Sequence, residues 1–104
     1  MSNQRRPQAQ GAYFPSYPID WDSCPPSVRG GLSNFIYHGI PTGGFLHDVL
    51  TNNLFGAMSK ADDINKHILS EICTFIYNHL PSGSWGNEDK YEHWLKWGEH
   101  FDAK

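Results

Sequence analysis

Gly43 and Gly44 stand behind Thr42 and directly ahead of Phe45, Leu46, Val49 and Leu50, which recur at helical spacing. A helix that starts on two glycines leaves bare backbone N–H groups at the positive end of its dipole, and such an end binds phosphate or carboxylate. The stretch is not a P-loop, because no Gly-Lys-Ser/Thr follows, and it is not a dinucleotide fingerprint, because no strand precedes it. Read as packing alone, the pair lets another helix or the N-terminal arm lie flat on the turn, and a lone glycine pair is more often packing than a site. As a site, Thr42, Gly43 and Gly44 would be completed by Arg29, Trp85 and Asn52. Arg29 supplies a guanidinium for an anion and Trp85 a ring to stack on.

Other chemistry finds less support. His67 and Glu71 share a helix face, and His93 and His100 lie a heptad apart. Neither His-Glu-x-x-His nor Cys-x-x-Cys occurs, and zinc needs three or four ligands in a tetrahedron, so no metal or other cofactor is expected. Cys73 falls on an apolar helix where a thiol is inert, and nothing in the sequence near Cys24 would depress its pKa. His47 and Asp48 could serve a small hydrolase, but adjacent residues on a helix point apart. The acid pairs Asp62/Asp63 and Glu88/Asp89 are explained by helix starts. The expectation is a non-enzymatic binding protein.

The elements that must position these residues are helices. Residues 1–25 read as an extended arm: polar to Gln10, then Tyr13, Phe14, Pro15, Tyr17, Pro18 and Trp21, a mixture of prolines and aromatics that lays rings on a surface. Tyr13, Phe14, Tyr17 and Trp21, together with Trp97, are the candidate partner-binding residues. Residues 26–104 read as a helical domain. A helix begins at Pro26 and carries Val28, Leu32, Phe35 and Ile36 on one stripe, ending at Gly39 and Pro41. Gly30-Gly31 inside it suggests a tight crossing. Thr42 is the expected N-cap of the next helix. Asn52-Asn53 marks a break before a short piece through Leu54, Phe55, Ala57 and Met58. Asp62-Asp63 opens the longest helix, with Ile64, Ile68, Ile72, Phe75, Ile76 and Leu80 inward as far as Pro81. Asn87 caps the last, which buries Tyr91, Trp94, Leu95 and Phe101. No segment alternates with period two. The fold class is therefore all-α, a small bundle of four to five helices behind an aromatic, proline-rich arm.

A formal charge of −3 over 104 residues argues against general nucleic-acid binding. No run approaches a membrane span and no signal-peptide core opens the chain, so a soluble, intracellular protein with reduced thiols is expected. A chain this short buries a modest share of its surface and gains from oligomerising, which favours a homo-oligomer, with the arm exchanged between subunits as one way to make it.

From about Val28 to Trp94 the chain resembles a family of small proteins encoded by tailed bacteriophages and prophages. The resemblance rests on Arg29-Gly30-Gly31-Leu32, Gly39-Ile40-Pro41-Thr42-Gly43-Gly44-Phe45-Leu46, Val49-Leu50, Asn52-Asn53-Leu54 and Trp85-Gly86. Members often carry a second proline at the position of Thr42, and Asn-Asp where this chain has Asn52-Asn53; the latter difference removes a carboxylate. The resemblance carries no family-wide activity with it. It implies a setting, the cytoplasm of an infected host bacterium. There, small accessory proteins act stoichiometrically, by sequestering a nucleotide-like signalling ligand or by blocking a host defence protein. A protein–protein adaptor working through the aromatic arm is the alternative.

Overall fold

The computed structural model describes residues 19–97, and within them the chain is all-α with no strand. Six α-helices follow in order: α1 Pro26–His38, α2 Gly44–Leu50, α3 Leu54–Lys60, α4 Asp63–His67, α5 Leu69–His79 and α6 Glu88–Trp97. Short 3-10 turns at Trp21–Ser23 and Ser82–Ser84 precede α1 and α6. No helix among the described residues is long and apolar enough to cross a membrane. Tyr13, Phe14, Tyr17, His100 and Phe101 lie outside the described residues.

The punctuation follows local chemistry. Pro26 occupies the first position of α1, where its missing N–H costs nothing. Gly39 ends α1 in the left-handed region (φ 67°), with its N–H on Phe35 O and the N–H of Ile40 reaching back to Asn34 O. That paired closure needs a residue free to take positive φ. Asn53 caps α3 through Oδ1, which accepts from Gly56 N at 3.1 Å. Asp62 caps α4 by accepting from Asn65 N at 2.8 Å, and Asn87 caps α6 by accepting from Lys90 N at 2.8 Å.

Two expectations are corrected. Thr42 does not cap α2. The cap is Gly43, with no side-chain bond, because the Thr42 hydroxyl is taken up by Tyr91 Oη at 3.0 Å and by the Gly43 carbonyl, to which it donates at 3.1 Å. The long helix expected from Asp62-Asp63 to Pro81 is broken at Ile68 (φ −114°, ψ 18°) into α4 and α5. Bonds from Ile68 N to Ile64 O and from Ile72 N to Ile68 O carry the ladder across, so the break is a kink and not a loop.

The core centres on α1 and α6. Leu32, Phe35, Ile36 and Trp94 have no exposed surface. Phe35 stacks on Tyr91 at 5.0 Å, and Trp94 Nε1 donates to Ile36 O at 3.3 Å. Leu46, Val49 and Leu50 of α2, and Ile72, Phe75 and Ile76 of α5, close the core from two sides. Fully burying side chains of this kind is worth about 1.5–3 kcal/mol each. The tight crossing expected at Gly30-Gly31 is present at one of the two: a Cβ on Gly31 would lie 3.1 Å from Leu46 Cδ1, whereas one on Gly30 would meet nothing within 4 Å. Residues 19–25, placed by sequence in the arm, pack into the same core, with Ile19 and Cys24 buried.

Candidate functional site

Of the side chains expected to bind a ligand, those of the glycine turn are held by structural contacts. Thr42 gives its backbone N–H to Tyr91 Oη at 3.0 Å, so the turn is pinned to α6. Gly43 is open, but Gly44 lies under the stem of Lys60, whose Cδ would stand 3.3 Å from an added Cβ. The close approach that excuses a glycine here is thus a lysine side chain from α3. Asn52 takes φ 69°, the left-handed region that asparagine tolerates, and forms the bend between α2 and α3. Trp85 is half-buried, donates Nε1 to Leu80 O at 3.3 Å and packs against Tyr77. Trp21 is half-buried as well, its Nε1 donating to Tyr37 Oη at 3.0 Å and its ring against Phe75. Trp97 is half-buried at the end of α6.

The α2–α3–α6 corner carries a charged cluster. Asp48 is buried, with its side chain 5% exposed, yet it stays ionised because Lys60 Nζ lies 2.6 Å from Oδ2. The lysine hydrogen bond holds the carboxyl below the usual range against the opposing pull of burial, and His47 assists. His47 Nδ1 is 3.4 Å from Asp48 Oδ1, so these neighbours touch despite their adjacency on the helix. His47 Nε2 meets Glu88 Oε1 at 2.9 Å, and the imidazole edge rests on Tyr91. A His–Asp pair is the base half of a hydrolytic relay. Here the nitrogen that would take a substrate proton is already bonded to Glu88. The cluster fastens three helices together.

Arg29 stands elsewhere, in a groove where α5 faces the 3-10 turn and the start of α1. One part, about 400 Å³, is lined by Asp22, Cys24, Arg29, Ile68 and Glu71 among others. The other, about 270 Å³, is lined by Ser70, Thr74, Phe75, Asn78 and His79. Ser23 and Glu71 line both, so the two lie side by side. Arg29 Nη2 donates to Cys24 O at 2.8 Å, while Arg29 Nε is buried with no hydrogen-bond partner. His79 stacks on Phe75 at 4.9 Å and leaves a half-buried imidazole at the far end.

Arg29 also acts on Cys24. Burial pushes the thiol up to about 11 even though the guanidinium pulls the other way, contrary to the expectation that nothing nearby would depress it. Burial raises Cys73 too. Both are free thiols, and the shift keeps them protonated and unreactive at neutral pH. Among the described residues no group of three or more His, Cys, Asp or Glu could hold a metal ion.

The groove's polar wall was legible in the sequence and was missed. Ser70, Thr74 and Asn78 recur every four residues, an uncharged polar stripe beside the apolar one. The exposed apolar edge of α3 was missed as well: Phe55 is 92% exposed, with Leu54 and Met58 beside it. Set against family models, curated proteins and solved structures, the chain matches none of them.

Proposed function

We propose that this chain is a non-enzymatic, stoichiometric binding protein that captures a small nucleotide-like ligand in the α1–α5 groove. The observation that carries the reading is Arg29, whose buried Nε lacks a partner at a cavity lined by Asp22, Cys24, Ile68 and Glu71, next to a second cavity lined by Ser70, Thr74 and Asn78. A buried N–H without an acceptor costs free energy, and a ligand oxygen reaching the guanidinium would recover part of it. Hydroxyls and an amide suit the edges of a base, and the His79 ring offers a face for it. Carboxylates such as Glu71 accept from ribose hydroxyls. Glu71 and Asp22 would repel a polyphosphate, so the ligand carries few negative charges. This moves the anion-binding role away from Gly43-Gly44, where Lys60 is already matched by Asp48. The likeness to phage proteins supplies the setting: sequestration of a signalling ligand in an infected bacterium, against a host defence.

The test is a thermal-shift and calorimetry panel of nucleosides, nucleoside monophosphates and cyclic nucleotides on the full chain. A true ligand at 100-fold over its dissociation constant adds about 2.7 kcal/mol of stability. Glu71→Ala and Arg29→Ala should abolish the shift, the exposed Glu71 doing so without loss of fold. A panel without effect, or a shift indifferent to both variants, overturns the reading. If the protein instead captures a host protein only when residues 1–18 are present, the adaptor alternative takes its place.

A further inference from the structure

The cavity beside Arg29 poses a problem of access. Arg29 Nε is buried without an acceptor, and Cys24, which lines the same cavity, is 1% exposed. A ligand oxygen can reach that nitrogen once part of the wall has moved. Ile68 belongs to the wall, and it is also the residue at which α4 and α5 meet, with φ −114° and ψ 18°. α4 is five residues long and contributes no buried side chain. Asp63, Ile64, Lys66 and His67 are exposed, Ile64 at 64%, and Asn65 is half-buried. Among the described residues its side-chain tie to another element is one exposed hydrogen bond, from Ser27 Oγ at the start of α1 to Asn65 Oδ1 at 2.7 Å. α5, by contrast, buries Ile72, Phe75 and Ile76. Segments with few buried apolar contacts open at the lowest free energy, and a helix this short has no stability of its own.

We propose that α4 is a flap hinged at Ile68, which opens while α5 stays folded and uncovers the Arg29 cavity. At its other end α4 hangs from Ala61 and Asp62, both in extended geometry. Opening breaks the Ser27–Asn65 bond and draws the half-buried Ile68 out of the cavity wall. The backbone bond that must yield at the hinge, Ile68 N to Ile64 O, is already long at 3.3 Å, against 2.9 Å for Lys66 N to Asp62 O. Closure then returns Ile68 to the wall and remakes the tie to α1, so a bound molecule is held behind it. The use of the flap rests on reading the groove as a ligand site; its opening does not.

Labelling of the full chain with N-ethylmaleimide, in the absence of any ligand, tests the flap. Peptide mass spectrometry reads Cys24 apart from Cys73. Cys24 should label at a rate that hardly changes in low urea, because opening α4 exposes little surface, whereas labelling through global unfolding climbs steeply. Ser27→Ala should raise the rate about fivefold, the factor that goes with one hydrogen bond of ordinary strength. Ser27→Thr keeps a hydroxyl and should stay near the wild-type rate. Hydrogen exchange should find the amides of Lys66 and Ile68 open well before those of Phe75 and Ile76. A Cys24 rate that follows the urea dependence of global unfolding overturns the proposal, as does a rate unmoved by Ser27→Ala. Because no ligand is present, a nucleotide panel without effect would remove the ligand reading and leave the flap standing, and a failed labelling test would leave the panel's result untouched.

Discussion

Asp48 concentrates the electrostatics of this protein in one residue. Its carboxylate is buried, ionised and shared between Lys60 and His47. Because the folded-state pKa is depressed, its contribution is fully present above the unfolded carboxylate range and is lost as pH falls through the lower, folded value. Asp48→Asn should therefore lower the melting temperature at neutral pH, where the charged form is favoured. The gap to the wild type should narrow steadily as the buffer is taken down through the acid range. Thermal melts of both proteins over a pH series check this. A gap that widened toward acid pH would mean that the carboxylate is not what Lys60 stabilises. The partners of Asp48 could not be read from the chain, because Lys60 lies on another helix and only the turn at Asn52-Asn53 swings it back.

At the scale of elements, α1 and its two glycines offer the sharpest contrast. Gly30 and Gly31 are equally poor helix formers, yet only Gly31 has a neighbour, Leu46, that needs its lack of a side chain. Gly30→Ala should stabilise the protein by about 0.5–1 kcal/mol, the ordinary gain for alanine in a helix. Gly31→Ala should gain less or lose, since Leu46 must give way in the α1–α2 crossing. Urea unfolding of both variants measures the difference, and equal gains would show that the crossing is loose. Periodicity and capping residues placed helix existence, type and most ends correctly, because Gly39, Asn53, Asp62 and Asn87 act through bonds within a few residues. The kink at Ile68 and the Gly43 cap escaped that reading. Apolar spacing runs straight through Ile68, and Thr42 is diverted by a tyrosine 49 positions away.

The whole molecule rests on Trp94. It has no exposed surface, stands beside Phe35 and reaches the Ile36 carbonyl. Trp94→Ala should cost about 3–5 kcal/mol, a large part of the roughly 5–15 kcal/mol available to a domain. Circular dichroism in denaturant should find the variant partly unfolded at physiological temperature; a loss under about 1 kcal/mol would contradict the central place given to this ring. By itself the sequence determined an all-α chain, its caps, its apolar faces and its modest negative charge, since each depends on residues close together along the chain. Tertiary structure decided which faces meet and which stay uncovered. It sent Lys60 and Glu88 to the His47–Asp48 pair, tied Thr42 to Tyr91, set Arg29 in a groove against α5 and left Phe55 in solvent. Periodicity says that a helix has an apolar side; only the packing of the described helices settles what lies against it.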